Sequence, residues 1–185
     1  LGSAAKWRNI TGLRYLDFLA PDDLPAFLDA NAAAIETVYH LGANSATTAS
    51  DGDEILRTNL RPSMQLWRWC AAHGRTFIYA SSAATYGDGE LGFDDELGLD
   101  AMARLRPMNL YAWSKHAFDM WALQRAAEGA APPRWAGLKF FNVYGPREHH
   151  KGFMMSVVAK YYPPLKRGEA IPLFRSHRPD YRDGE

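Results

Sequence analysis

A tyrosine and a lysine four residues apart, Tyr111 and Lys115, lie in a segment with helical spacing. Side chains four residues apart on a helix share one face and stand one turn from each other. A neighbouring ammonium stabilises the charged phenolate form of a tyrosine, which can take up a proton. The same lysine could hold the ribose hydroxyls of a nicotinamide cofactor. Taken alone, this spacing more often marks a solvated helix face, so the hypothesis needs further residues.

Two runs of small and polar residues follow predicted strands. In residues 79–87 the strand ends at Ser82, which could donate a hydrogen bond to a substrate oxygen or satisfy the backbone of a turn. In residues 40–45 the strand is followed by Gly42 and Ala43. Such residues either let a backbone approach a cofactor closely or form an ordinary tight turn.

A third polar run covers residues 140–151. Asn142 directly follows a strand, where a carboxamide can bind a sugar or a phosphate. Arg147 could bind a phosphate or form a surface salt bridge with Glu148. His149 and His150 are adjacent and lack further partners at ligand spacing, so we expect no metal site.

Strand-like and helix-like segments alternate along the chain, which predicts an α/β fold with a parallel sheet. Ligands of such sheets bind at the carboxyl ends of the strands, where the polar runs occur. We predict a strand near Tyr15 and strands over residues 35–40, 76–80 and 135–143, with helices from residue 21 and over residues 51–73, 109–128 and 154–166. Pro62 predicts a break near Arg61 in the second of these helices.

Composition excludes several classes of function. Lys plus Arg and Asp plus Glu number 21 each, so neither nucleic acid nor an anionic membrane is expected as the main partner. No apolar stretch is long enough to span a bilayer. Cys70 is the single cysteine, so no internal disulfide can form, and a reducing, cytoplasmic location is expected.

The trio Ser82, Tyr111 and Lys115 resembles the catalytic group of the extended short-chain dehydrogenase/reductase family, which acts on nucleotide sugars. Asn59 matches the helix asparagine that lies beside the active site in that family. The closer resemblance is to the family's ADP-heptose 6-epimerase branch. Residues 45–48, 80–87 and 141–152 carry it.

The resemblance implies NADP-dependent epimerisation, with NAD possible, at C6 of an ADP-glycero-manno-heptose. The reaction passes through a 6-keto intermediate and belongs to lipopolysaccharide core precursor synthesis. Tyr111 and Lys151 would be the two proton-transfer groups, Ser82 would polarise the C6 oxygen, and Lys115 would orient the ribose and stabilise the phenolate. The implied cofactor residues are Lys6, Leu41, Gly42, Ala43, Asn44, Ser45, Asn59, Tyr111, Lys115, Val143 and Lys151. The implied substrate residues are Ser82, Asn142, Phe153, Lys160, Phe174, Arg175, Ser176 and His177.

Three of these positions depart from the pattern of that branch. Phe153 stands where the branch has a serine, Lys160 where it has a histidine, and Leu41 where it has an acid. These departures concern the substrate and cofactor contacts and leave the Tyr-Lys chemistry intact.

The resemblance also implies a Rossmann-like, doubly wound parallel sheet that is incomplete. The glycine-rich turn of a dinucleotide fold is not found, so the first strand, helix and second strand are expected to be missing. Residues 1–146 would be a partial NAD(P)-binding domain and residues 147–185 the start of a substrate-binding region. Alone, the piece is expected to be unstable or inactive because strands lose a neighbour; the full-length protein is expected to form a homo-oligomer. Alternative functions are another nucleotide-sugar 4-epimerase or dehydratase, or a non-catalytic nucleotide-sugar-binding fragment.

Overall fold

The computed structural model describes residues 5–176 and 179–184 and has two compact units. One unit covers Asp17–Phe141, and the other combines Leu1–Leu16 with Asn142–Glu185. Within the described residues, no helix is long and apolar enough to span a membrane.

The larger unit is built on a three-stranded parallel sheet. Its strands are β1 (Thr37–His40), β2 (Thr76–Ser82) and β3 (Trp135–Phe140), in the order β1-β2-β3. This confirms the predicted α/β fold with a parallel sheet. Because all strands run the same way, their carboxyl ends meet at one edge, where His40 aligns with Tyr79 and Ser82 with Phe140.

Five α-helices belong to the same unit, and the third and fifth of them pack on the strands. The five are α1 (Leu24–Ala30), α2 (Gly52–Ile55), α3 (Arg61–Ala72), α4 (Leu99–Met102) and α5 (Leu110–Ala127). Helix α5 begins where predicted because the Asn109 carboxamide oxygen accepts the Ala112 amide hydrogen at 2.9 Å. It ends before Gly129, whose φ of 73° is a left-handed conformation that glycine adopts without strain.

The break predicted near Arg61 is present as a single widened turn. Residues Leu56–Leu60 form a π-helical turn between α2 and α3, and the Arg61 amide donates to the Leu56 carbonyl, five residues back. Pro62 explains this turn, since proline has no amide hydrogen and its ring crowds the carbonyl four residues earlier. Turns of this kind occur frequently at functional sites.

The core of the larger unit is organised around Trp67 on α3, which is completely buried. Its ring makes edge contacts with Phe77 of β2, Phe118 of α5 and Trp135 of β3, at centroid distances of 6.0, 6.2 and 4.9 Å. The indole N–H donates to the Ala130 carbonyl at 2.9 Å, so its polar atom is satisfied. One side chain therefore joins two helices and two strands.

Cys70 packs in the same core and is completely buried. Burial raises the pKa of its thiol to about 11, because the thiolate would lose its hydration. The cysteine is therefore a structural residue.

The strand predicted near Tyr15 is wrong. Residues 13–20 contain no strand or helix, and the side chains of Tyr15 and Leu16 are exposed. An extended segment becomes a strand only when a neighbouring strand pairs with its backbone, and within the described residues no strand pairs with this segment.

The smaller unit contains 3₁₀ helices over Ala5–Asn9 and His149–Met154, and α6 over Val157–Lys166. Helix α6 begins three residues later than the hydrophobic pattern predicts. The reason is Ser156, whose hydroxyl oxygen accepts the Ala159 amide hydrogen at 3.1 Å and caps the first turn.

Candidate active site

Helix α5 presents Tyr111 and Lys115 one turn apart and packs against β2 and the 3₁₀ turn Ala83–Tyr86 that follows it. Lys115 is 5 % exposed, whereas Tyr111 is half-buried. Burial lowers the pKa of the Lys115 ammonium, and the negative charge of Asp119 opposes that shift. Within the described part of the chain, no hydrogen bond or ion pair engages this ammonium.

Ser82 is the last residue of β2 and caps the turn after it. Its hydroxyl oxygen accepts the Ala84 amide hydrogen at 3.2 Å, and its carbonyl accepts the Thr85 hydroxyl at 2.8 Å. The alternative role of Ser82, satisfying the backbone of a turn, is therefore realised. Because the hydroxyl acts there as an acceptor, its own hydrogen stays available for a substrate oxygen.

Asn59 lies in the π turn and joins the loop after β1 to α5. Its carboxamide oxygen accepts the Asn44 amide hydrogen at 2.8 Å, and its carboxamide nitrogen donates to the Asn44 carbonyl and the Ser114 hydroxyl, both at 3.0 Å. Ser114 in turn donates to the Tyr111 carbonyl at 2.7 Å. The geometry therefore gives Asn59 a positioning role, with both amide hydrogens already engaged.

His40 extends this chain of hydrogen bonds to the end of β1. Its Nε2 atom lies 2.8 Å from the Ser63 hydroxyl, which donates to the Asn59 carbonyl at 2.6 Å. A serine has a single hydroxyl hydrogen, so His40 must donate and carry its proton on Nε2. Burial, and to a lesser extent the charge of Lys115, lower the pKa of His40 to about 4 and keep it neutral.

A buried ionic network beside Ser82 was not found from the sequence. Asp119 on α5 accepts hydrogen bonds from Tyr79 and Ser81 of β2 at 2.9 and 2.6 Å and pairs with Lys139 of β3 at 2.8 Å. Two signals in the sequence could have indicated it. Asp119 follows Lys115 by one helical turn, and Lys139 interrupts an otherwise apolar strand.

In the smaller unit, Glu148 organises the loop that contains Lys151. Its carboxylate accepts the amide hydrogens of Gly145 and Ser156 at 2.8 and 2.9 Å and the Ser156 hydroxyl at 2.9 Å. The Lys151 ammonium lies 3.7 Å away, and its side chain is 41 % exposed. The backbone hydrogen bonds from Ser156 and Gly145 are the main reason why the pKa of Glu148 falls to about 2.

The proposed salt bridge between Arg147 and Glu148 is wrong for the described residues. Arg147 donates instead to the Asn9 carbonyl, and its φ of 71° lies in the left-handed region. Glu148 is turned inward by its two amide donors, which leaves Lys151 as its cationic partner. Left-handed backbone at a non-glycine residue is uncommon and recurs at functional sites.

The other predicted site residues are placed as follows. In the larger unit the exposed loop after β1 carries Leu41, Gly42, Ala43 and Ser45. In the smaller unit Lys6, Asn142, Val143, Lys160, Phe174 and Arg175 are exposed, and Ser176 is half-buried with its amide bonded to Asp183 at 2.8 Å. His177 lies outside the described residues, and Phe153 is described for its backbone alone.

Comparison with known proteins gives consistent results. The chain is 44% identical over 182 residues to an ADP-L-glycero-D-manno-heptose-6-epimerase of Fusobacterium nucleatum, covering 97% of this chain and 54% of the relative. It is 45% identical over 194 residues to the enzyme of the same name from Nitratidesulfovibrio vulgaris, covering 100% of this chain and 56% of the relative. The chain thus spans about half the length of the curated relatives it matches.

Solved structures agree with the fold. The crystal structure of the Helicobacter pylori ADP-L-glycero-D-manno-heptose-6-epimerase matches with a TM-score of 0.73 and 25% identity, over 91% of this chain and 51% of that one. MoeE5 in complex with UDP-glucose and NAD matches with a TM-score of 0.56 and 30% identity, over 76% and 45% of the two chains. The Rossmann-like fold predicted from the resemblance is therefore confirmed, as a partial sheet.

The sequence model of the NAD dependent epimerase/dehydratase family matches residues 2–183, nearly the whole chain. Both curated relatives described above are named as epimerases. Together with a strand-end serine and a buried lysine one turn from a tyrosine, this match settles the classification. The chain belongs to the NAD dependent epimerase/dehydratase family.

Proposed function

We propose that this chain carries the catalytic residues of an NADP-dependent epimerase acting at C6 of an ADP-glycero-manno-heptose. The observation that supports this best is Lys115, which is 5 % exposed as a residue and whose ammonium has no hydrogen-bond acceptor among the described residues. The Lys115 nitrogen is not among the fully buried unpaired atoms, so the ammonium reaches the surface, where hydroxyl groups of a ligand would supply acceptors. The ribose of a dinucleotide is such a ligand, so the residues present fit the cofactor.

The loop after β1 supports the same cofactor. Hydrogen bonds fix its backbone. The Asn44 amide donates to the Asn59 carboxamide oxygen, and the Asn44 carboxamide nitrogen donates to Glu54 at 3.0 Å. Gly42 has open space around the position of a side chain. Leu41, Gly42, Ala43 and Ser45 would therefore border the dinucleotide. Lys6 and Val143 are assigned to the cofactor by resemblance alone.

A nicotinamide cofactor held at Lys115 and the loop after β1 would supply hydride transfer at C6 in both directions, which allows the configuration of that carbon to be inverted. Tyr111 acts as a phenolate, which the Lys115 ammonium stabilises; it takes the proton of the C6 hydroxyl and becomes a neutral phenol. Ser82 donates a hydrogen bond to the same oxygen as it becomes the carbonyl of the 6-keto intermediate. Lys151 supplies the second proton-transfer group, so that the two faces of the sugar are served by different residues.

Further contacts to the sugar nucleotide are assigned by resemblance. They are Asn142, Phe153, Lys160, Phe174, Arg175, Ser176 and His177. Residues 1–146 would then form the cofactor-binding part and residues 147–185 the beginning of the substrate-binding part. We propose a cytoplasmic enzyme that associates as a homo-oligomer, to be checked by cell fractionation and by light scattering of the purified protein.

The test is turnover of the naturally encoded protein on a panel of nucleotide sugars, followed by NMR of the C6 configuration. ADP-glycero-manno-heptose should be epimerised, whereas UDP-hexoses should be untouched. Tyr111→Phe should lower kcat by about a hundredfold or more, as expected for loss of a general acid-base group. Tyr162→Phe, which removes an exposed hydroxyl on α6, is the matched control and should keep full activity.

Three results would refute the proposal. Full turnover in Tyr111→Phe would exclude the tyrosine as the acid-base group. Activity on a UDP-hexose alone would assign the chain to the 4-epimerases or dehydratases, and binding without turnover would make it a binding protein. Mass spectrometry of the cofactor that copurifies would decide between NADP and NAD.

A further inference from the structure

The Asp119 carboxylate connects three elements at the end of β2. One oxygen accepts the Tyr79 hydroxyl at 2.9 Å, and the other accepts the Ser81 hydroxyl at 2.6 Å and the Lys139 ammonium at 2.8 Å. Asp119 is 4 % exposed, so these bonds replace its hydration. A single side chain of α5 thereby holds β2 and β3.

Lys139 carries the network forward into the turn after Ser82. Besides Asp119, its ammonium donates to the Thr85 hydroxyl at 2.8 Å and lies 5.1 Å from the centre of the Tyr86 ring. Thr85 donates to the Ser82 carbonyl at 2.8 Å. A continuous path of hydrogen bonds therefore runs from α5 through Lys139 to the backbone of Ser82.

The two ends of this path carry groups of the proposed site. Asp119 follows Lys115 by four residues, so the two lie on the same face of α5. At the other end, Ser81 precedes Ser82 in β2 and Thr85 belongs to the turn that Ser82 caps. The network thus spans the gap between the helix with Tyr111 and Lys115 and the strand with Ser82.

Energetics argue against a purely stabilising role. A buried ion pair costs several kcal/mol of desolvation per ion, and apolar residues of similar volume often stabilise a protein as well or better. The benefit of an ion pair with directed hydrogen bonds is geometric, because each bond fixes a distance and an angle. Placement of such a pair directly behind the catalytic strand end points to that benefit.

We propose that Asp119 and Lys139 are positioning residues that fix the Ser82 turn relative to the Lys115 face of α5. This inference rests on the proposed function for the roles of Ser82 and Lys115. It adds two residues to the machinery, neither of which touches substrate or cofactor.

The test compares variants of the naturally encoded protein by turnover and by amide hydrogen exchange. Asp119→Asn keeps the size of the side chain and removes the charge, and Lys139→Met keeps the length and removes the donors. Displacement of a catalytic group by about 1 Å costs on the order of a hundredfold, so both should lower kcat by roughly tenfold to a hundredfold with little change in KM. Amides of residues 83–86 should exchange faster in both.

Rescue and control variants separate positioning from general stability. Lys139→Arg keeps two donors for Asp119 and Thr85 and has room, because Lys139 borders a cavity of about 250 Å³. It should retain kcat within about threefold, because the positive charge and the donors for both acceptors are kept. Arg125→Met removes an exposed ion pair with Glu128 on the same helix and should change neither kcat nor the exchange of the turn.

Unchanged kcat and unchanged exchange of residues 83–86 in both disrupting variants would overturn the inference. The inference would also be overturned if Lys139→Arg lowered kcat as much as Lys139→Met does. Keeping the charge and the donors would then have no effect on turnover. Tyr111→Phe in the same assay distinguishes a failure of the proposed function, because retained turnover there refutes the chemistry. The amide exchange rates of residues 83–86 report the stability of the turn independently of catalysis. They therefore test the positioning role even if Tyr111→Phe retains turnover.

Discussion

His40 should make the stability of this protein fall as the pH drops from about 7 to 5. In the folded chain its ring is half-buried and stacked on Phe77, donates to Ser63 and faces the positive charge of Lys115. Its pKa is therefore about 4, against 6.5 for a free histidine. Unfolding exposes the ring, which then binds a proton more readily than in the folded state.

The sign and size follow from these two values. Because the pKa is lowered on folding, the unfolded state binds more protons between pH 6.5 and 4, so folding stability decreases as pH falls through that window. One pKa unit corresponds to about 1.4 kcal/mol. Between about pH 7 and pH 5 the contribution of His40 amounts to a loss of about 2 kcal/mol in the free energy of unfolding.

The assay is urea denaturation at both pH values, for the unaltered protein and for His40→Gln. Glutamine keeps a donor for Ser63 and does not titrate, so the pH-dependent loss should shrink by about 2 kcal/mol in the variant. His73→Gln, at an exposed ring stacked on Trp69, should leave the loss unchanged. Equal pH dependence in the unaltered protein and His40→Gln would refute the argument, since His40 would then be protonated equally in both states.

Two further predictions concern the loops of the site. Gly87→Ala should destabilise the protein by about 1–3 kcal/mol in urea denaturation, because Gly87 has a φ of 72° and a Cβ would meet the Arg106 carbonyl oxygen. Gly92→Ala, with similar φ but open space, should cost less, and equal losses would refute the steric argument. Glu148→Gln should accelerate amide exchange of Ser156, since the carboxylate holds that amide. The difference should be full above pH 4.5 and disappear as pH falls through about 2, where the carboxylate itself is neutralised; a pH-independent difference would contradict this.

Much of the fold could be predicted because its signals are local. The cap of Asn109, the stop at Gly129 and the break before Pro62 each depend on residues within one or two turns. Alternation of strands and helices then dictated a parallel sheet with Ser82 and His40 at the same edge. The prediction of a strand near Tyr15 was wrong because strand formation depends on a neighbouring strand that pairs with the segment, which the local sequence does not show.

The supporting contacts of the site could not be predicted for a related reason. Lys139 and Thr85 are 54 positions apart, and Asn59 and Ser114 are 55 apart, so their hydrogen bonds exist only once the sheet is assembled. Glu148 had several cations within reach in the sequence, and the choice was made by two backbone amides. Residue types were enough to propose the reacting groups, whereas the hydrogen-bond partners of the site depended on tertiary packing.

The widened turn at Leu56–Leu60 also changes the directions in which side chains before and after it leave the helix axis. In an uninterrupted α-helix each residue advances by about 100°, so the direction of every side chain is fixed by the first. The extra residue rotates the second half relative to the first, so that Asn59 can bond to Asn44 in the loop after β1 while Trp67 still packs in the core. Deleting one residue of the turn would restore a regular helix. Either the Asn59 hydrogen bonds or the Trp67 packing would then be lost.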